Sequence, residues 1–510
     1  MFRKSVAVFA CFGLVSSISN PTPSRAETRI AAPEGGFCRT PSALPDLGEE
    51  PQFNQQQTET RKRERSEPTP ASPAPPPPPP STSDVAADDD GMSIVVTGSR
   101  AEETVYDSPV AVSSVSAEEG SSSADRVAPP GIMPSPPPDR PQPRPQSGLL
   151  TAGEHDDLLN PELYADYVRK SDLGQMQMQL PKLDTSRLLT VSVADRRGRA
   201  VPFAEVELRC SDGNSIKLKT VADGKVVFFP ELDRLSETVW VRAAGSDWRS
   251  LRLSNERGGQ SVKITSRSSA PKVTKLDLAL VVDATGSMAD EMLYLTEEFK
   301  TIVGALEERH KDLDIRVGLT FYRDTTDQYI TRTYGFDEDM NAAQARIAAQ
   351  EANGGGDYPE AMDQALIRAA GLEWRDDSVK SLLLVADAPP HNNKVDLTWK
   401  AAEHLRAKRV HIVPVGASGV ADLAEYVMRS MAVVSQSRYT FLTDDSGIGN
   451  PHAEPAIDCY LVTRLDQLLR RVIDSQISGR RIEPKRSEVI RTVGQYEAGK
   501  CVLPPDFGQQ

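Results

Sequence analysis

Val281-Val282-Asp283-Ala284-Thr285-Gly286-Ser287-Met288 closes an apolar run and then sets one carboxylate and two hydroxyls at every second position. Residues 278–282 read as a buried strand, and Met292, Leu295, Phe299, Ile302, Val303 and Leu306 repeat at helical spacing behind them. Asp283, Thr285 and Ser287 therefore fall in a strand-to-helix loop. In an open α/β sheet that loop lies at the carboxyl edge, where ligands bind. Hard oxygen donors in such a place suit Mg²⁺, with Mn²⁺ or Ca²⁺ as substitutes, but one loop supplies only part of a shell. Alone, the string is equally well a helix-capping turn.

Two further loops supply the missing oxygens. Gly354-Gly355-Gly356-Asp357-Tyr358-Pro359-Glu360 opens a helix, with glycines that allow close backbone approach. A second buried-looking strand, residues 381–386, ends in Asp387-Ala388-Pro389-Pro390-His391. Asp283, Thr285 and Ser287, then Asp357, then Asp387 recur at the same kind of position, and this ordered set resembles the von Willebrand factor type A domain and its metal-ion-dependent adhesion site. The resemblance covers residues 275–479. It implies a doubly wound, Rossmann-like α/β fold, a divalent cation held by those five residues, and a protein ligand whose acidic side chain completes the shell. The family's first loop reads Asp-x-Ser-x-Ser, and Thr285 here keeps the middle hydroxyl. The family's second loop gives a Thr where Asp357 stands here. An extra negative charge at that position would weaken capture of a partner's carboxylate. Asp357 could instead bind through water, or Thr325 could take the role. Glu360 reads as a helix N-terminal charge and His391 as a loop histidine. His452 lies in an unusually polar loop after the last strand, read as structured surface.

The remainder of this region alternates in the way such a fold requires. Strands are expected at 315–322, 329–336, 381–386, 410–415 and 439–442, the second antiparallel to the first. Helices are expected at 342–349, 361–370, 397–407 and 423–431, and a last one carries Leu465, Leu468, Leu469, Val472, Ile473 and Ile477 along one face. That order predicts a mainly parallel sheet with helices on both faces.

Ahead of it, residues 183–268 form a second unit. Alternation at 189–193 and short apolar runs at 206–208, 223–229 and 239–242, separated by turn signals, predict a small all-β sandwich. Asp195-Arg196-Arg197-Gly198-Arg199-Ala200-Val201-Pro202, followed by Ala204-Glu205-Val206, resembles carboxypeptidase regulatory-like modules. Trp240 reads as core. Residues 149–182 show helical spacing at Leu163, Tyr164, Tyr167 and Val168 and read as a short docking helix, with the next domain as its expected partner.

Arg3 and Lys4, an apolar run over 5–18 and Ser24-Arg25-Ala26 predict a signal peptide over 1–26. Export across an inner membrane follows as an expectation, with residence in the periplasm or at the outer membrane of a Gram-negative cell. Val8-Phe9-Ala10-Cys11 fits a lipoprotein box poorly. Residues 27–148, rich in Pro, Ser and acids, are expected to be a disordered arm, because they cannot bury enough apolar area to offset ordering. Within it, Ser93-Ile94-Val95-Val96-Thr97-Gly98-Ser99-Arg100 is β-prone and resembles the TonB box of outer-membrane receptors, implying a TonB-type partner reached by strand addition. A harmless β-prone stretch is the other reading. Residues 480–510 read as a tail.

Beyond the leader four cysteines remain: Cys38, Cys210, Cys459 and Cys501. Their spacing is not that of a zinc site, and Cys459 with Cys501 is the expected pair because both flank the last helix. With 59 Lys and Arg against 73 Asp and Glu the net charge is −14, which argues against nucleic acid as a partner. The sequence thus predicts a non-enzymatic, exported, metal-dependent binding protein. The alternatives are a metal-dependent hydrolase, or an envelope scaffold, TonB-linked or purely structural, with a degenerate metal site. Phosphatases that use a nucleophilic Asp commonly need a second Asp where Thr285 stands, and no Gly-x-Ser-x-Gly elbow holds Ser287.

Overall fold

Lys275–Asp283 is buried at every residue after the first, the signature of a strand covered on both faces. The computed structural model describes residues 36–50, 146–171, 173, 183–448 and 451–494. In chain order the first elements are β1 (Thr151–His155), α1 (Pro161–Lys170), then β2 (Leu189–Ala194), β3 (Glu205–Arg209), β4 (Ser215–Lys219), β5 (Lys225–Phe228), β6 (Thr238–Ala243), β7 (Arg249–Arg252) and β8 (Gln260–Thr265). The α/β region follows with β9 (Lys275–Asp283), α2 (Ala289–Arg309), β10 (Asp314–Tyr322), β11 (Thr331–Asp337), α3 (Met340–Ala348) and α4 (Met362–Gly371). It ends with β12 (Val379–Ala386), α5 (Val395–Ala407), β13 (His411–Gly416), α6 (Asp422–Val434), β14 (Tyr439–Thr443), β15 (Tyr460–Arg464), α7 (Leu465–Ser478) and β16 (Arg491–Val493).

The large sheet runs β11-β10-β9-β12-β13-β14-β1-β15-β16. The five strands from β10 to β14 are parallel, and β11 is antiparallel at one edge. Helices α2, α3 and α7 pack on one another, as do α4, α5 and α6, which makes two helical layers. Gly479, at a φ of 63°, ends α7 in the left-handed conformation that glycine adopts without strain.

Residues 149–182 hold more than the docking helix read from the sequence. Thr151–His155 is a strand of the large sheet, antiparallel to both β14 and β15. Its buried Glu154 accepts from Arg438 at 2.7 Å and Arg471 at 2.6 Å. Burial opposes ionisation, but the two guanidiniums hold this carboxyl well below the usual carboxylate range. The helix that follows packs on the α/β region and not on the sandwich alone. Tyr164 shares a 2.9 Å hydrogen bond with Ser430, and Arg429 donates to Asp157 at 2.8 Å. Part of the expected tail is likewise structured, since β16 pairs with β15.

The sandwich has a three-stranded sheet, β5-β2-β8, and a four-stranded sheet, β4-β3-β6-β7, around one core that includes Val191, Val206, Leu208, Phe228 and Val241. Trp240, expected in the core, is only half-buried. Residues 36–50 depart from the expected arm. Cys38 is bonded to Cys210 in the sandwich core, Arg39 pairs with Glu403, and Glu50 accepts from the Thr333 amide at 2.7 Å. Cys459 is itself disulfide-bonded; Cys501, its expected partner, lies outside the described residues, as do the signal peptide and the 93–100 segment.

Candidate metal centre

β9 and β12 end side by side, so parallel pairing delivers Asp283 and Asp387 to one sheet edge. Asp283 is fully buried. Its Oδ1 accepts from the Thr285 amide at 3.0 Å and the Thr285 hydroxyl at 2.7 Å, and that hydroxyl lies 3.2 Å from Ser287 Oγ. Asp283 Oδ2 is buried and makes no well-aligned hydrogen bond; the buried Tyr322 hydroxyl, which is likewise without one, interacts with this carboxylate. Burial first, then the neighbouring Asp387 charge, pushes the Asp283 carboxyl up to about 7. The unmet oxygen and the raised pKa have one cause: negative charge is concentrated where water cannot solvate it. A cation answers both. Thr285 is buried and Ser287 exposed, so the hydroxyl row runs from the interior to the surface.

The loops are sewn together by backbone. The Gly286 amide donates to the Gly354 carbonyl at 3.1 Å, Asn353 to Ala284 at 3.0 Å, and Glu360 to Pro389 at 2.9 Å. Gly354 is required here: its φ is 85°, and a Cβ would sit 2.2 Å from Asp327 Oδ1. Tyr358 accepts from the Ala421 amide at 2.8 Å and donates to the Gly419 carbonyl at 2.8 Å, pinning a fourth loop beside Asp387.

Of the five residues expected to ligate, the fold brings Asp283, Thr285, Ser287 and Asp387 to one edge. Asp357 is exposed, as is Thr325. The buried carboxylate of that second loop is Glu360, whose Oε2 also lacks a hydrogen-bond partner. Burial, then Asp283, Asp324, Asp327 and Asp387, raises Glu360 to about 9. The sequence reading missed this role, because Glu near a helix start is ordinary N-terminal chemistry; the triple glycine before it was the available signal of close packing. His391 is held by Asp324 at 2.6 Å. His452 is not surface: it bridges Asp444 at 2.8 Å and Glu291 at 3.2 Å. Burial works against it, yet those two carboxylates lift His452 above its usual value. Among the described residues no three His, Cys, Asp or Glu side chains gather at metal-ligating spacing. A cation here would depend on two aspartates, hydroxyls and water, a donor set that suits a hard ion.

Residues 277–451 match the model of the von Willebrand factor type A domain, and this part of the chain is such a domain. Two curated relatives match part of the chain in sequence. An ariadne-like RING finger protein of Acanthamoeba polyphaga mimivirus is 36% identical over 120 residues, covering 23% of this chain and 11% of that protein. The alpha-protein kinase vwkA of Dictyostelium discoideum is 27% identical over 141 residues, covering 27% and 22%. The chain thus spans only a small part of either relative. The solved structure of a conserved hypothetical protein, BatB of Bacteroides thetaiotaomicron, aligns with 40% of this chain and 98% of its own, at 12% identity and a TM-score of 0.27.

Proposed function

We propose that this protein is an exported binding protein of the cell envelope, not an enzyme, whose A domain captures a protein ligand through a divalent cation. The observation that carries the reading is Asp283, a fully buried carboxylate whose Oδ2 makes no well-aligned hydrogen bond, at the edge where Asp387 and two hydroxyls converge. Asp283, Thr285 and Ser287 would hold the ion, with Asp387 acting directly or through water. Mg²⁺, Mn²⁺ or Ca²⁺ would supply a coordination position for a carboxylate oxygen of the partner.

The chain's own groups do the rest. Thr285 orients Asp283 through two hydrogen bonds to Oδ1. Asp387 adds negative charge, and Glu360 would add more where the ion displaces its proton, favouring the ion but reducing the attraction left for the partner's carboxylate. Exposed Ser287 and Tyr358 form the rim that a partner meets. The relatives, a RING finger protein and a protein kinase, differ in the rest of their names, in keeping with a binding module used in several settings.

The test is calorimetric titration of Mg²⁺, Mn²⁺ and Ca²⁺ into the full chain, beside Asp283→Ala shown to be folded by circular dichroism. The expected result is saturable binding that the substitution abolishes, followed by chelator-sensitive capture of an envelope protein. No binding by the folded native chain sinks the reading.

A further inference from the structure

Strand β12 has a chemical group at each end. Asp387 follows its last residue, and Lys380 is its second, roughly 20 Å away at about 3.3 Å per residue. Lys380 is 3% exposed and lines a cavity of about 430 Å³ between the A domain and strands β3 and β4 of the sandwich. That volume is in the range of small-molecule sites.

The cavity's charges divide by depth. At the rim, Lys217 pairs with Glu205 at 3.6 Å and Lys219 with Asp376 at 3.4 Å, and Glu373 stands exposed. Inside, Lys380 donates to the Lys408 carbonyl at 3.0 Å, and at the mouth exposed Lys408 donates to the Ala370 carbonyl at 2.5 Å. Among the described residues neither ammonium has a carboxylate within ion-pair distance, and each has three N–H donors. Burial, then Arg409, moves Lys380 down to about 8; Lys219 adds to the effect, while Asp376 and Asp277 oppose it. Arg409 is otherwise occupied, donating to the Ser378 and Asp376 carbonyls with its guanidinium over Phe203. Leu218 from the sandwich and Leu372 and Trp374 from the A domain supply apolar lining, and the Trp374 indole N–H is committed to the Ala369 carbonyl. A cleft with one buried and one exposed lysine, neither paired to a carboxylate, and with apolar side chains beside them has the complementarity of an organic dianion.

We propose that this cleft binds a small organic phosphate, its dianionic head accepting from Lys380 and Lys408 and its apolar part lying against Trp374 and Leu218. Because the walls come from both domains, the bound phosphate also fastens the sandwich to the A domain.

The experiment is calorimetric titration of the full chain with inorganic phosphate and with phenyl phosphate, ionic strength held constant with chloride, in the native protein and in Lys380→Gln, Lys408→Gln and Lys272→Gln. Saturable binding is expected, tighter for phenyl phosphate, and about tenfold or more weaker in the first two variants. The third, on exposed Lys272 away from the cleft, should bind as the native protein does. Should Lys380→Gln fail to fold, Lys408→Gln at the cavity mouth decides alone. Absence of saturable binding of either probe to the native chain overturns the proposal, as does binding undiminished in the Lys408→Gln variant.

Discussion

Asp283 illustrates how a carboxylate is held against its own solvation. Its Oδ1 is satisfied twice by Thr285, whereas its Oδ2 makes no well-aligned hydrogen bond. Asp283→Asn keeps the acceptor facing Thr285 and removes the buried charge, so the variant should lose cation binding while melting about 2–4 °C higher in chelator. Thermal unfolding with and without Mg²⁺ checks both arms; an unchanged melting point in chelator would mean that the carboxylate carries no strain. His411, the first residue of β13, offers a pH prediction remote from the site. It is buried with Nδ1 against the Ser435 and Gln436 carbonyls, and burial lowers it from about 6.5 to about 4. The two carbonyls and Asp223 oppose that lowering, and Arg409 contributes to it. The folded state therefore takes up a proton less readily than the unfolded chain. The stabilising contribution is whole above pH 6.5 and is lost as the pH falls through 4, on the order of 3 kcal/mol in total. Urea unfolding of the native chain and of His411→Gln at pH 4.5 and 7.5 should show a smaller pH difference in the variant. At this scale Asp283, Thr285, Ser287 and Asp387 were legible because a strand end fixes where its next residues go. Glu360 was not, since only the packed loop decides whether a carboxylate near a helix start turns inward.

β1 is the element that sequence pattern conceals. Thr-Ala-Gly-Glu-His has neither alternation nor β-branched density, yet all five residues are buried. The sheet accepts the strand because Gly153 leaves room for the Phe441 ring, which packs edge-on against Tyr460 with centroids 4.9 Å apart. A Cβ at Gly153 would stand 2.4 Å from Phe441 Cζ. Gly153→Val should accordingly cost about 1–3 kcal/mol or more through overpacking, read as a lower urea midpoint at unchanged slope. An unaltered midpoint would place β1 outside the cooperative sheet. The strongly periodic elements, α2 and α7 above all, were visible in the sequence, because one apolar face repeats over several turns.

Across the whole molecule, residues 36–50 connect the sandwich to the edge of the large sheet. Cys38 fastens them to Cys210, 172 residues away, His404 meets the Ser42 carbonyl at 2.6 Å, and Glu50 caps the Thr333 amide of β11. Such a cross-link limits the unfolded chain, so Cys210→Ser should destabilise by about 2–5 kcal/mol in denaturant titration. Equal stability of the oxidised and reduced native chains would show the bond to be incidental. The two domains also share packing, with Leu188, Val227 and Phe229 joining the core of the A domain and Arg406 donating to Asp233 at 2.7 Å. By itself the sequence determined the α/β order, the short strands of the sandwich and four oxygen donors at strand ends, because these depend on periodicity and on short-range turns. Tertiary structure alone decided that a remote strand completes the sheet, that Cys38 meets Cys210, that Glu360 faces the aspartates and that two lysines share a cleft. Those pairings join residues far apart in the chain, and no local propensity encodes which distant surface will bury them.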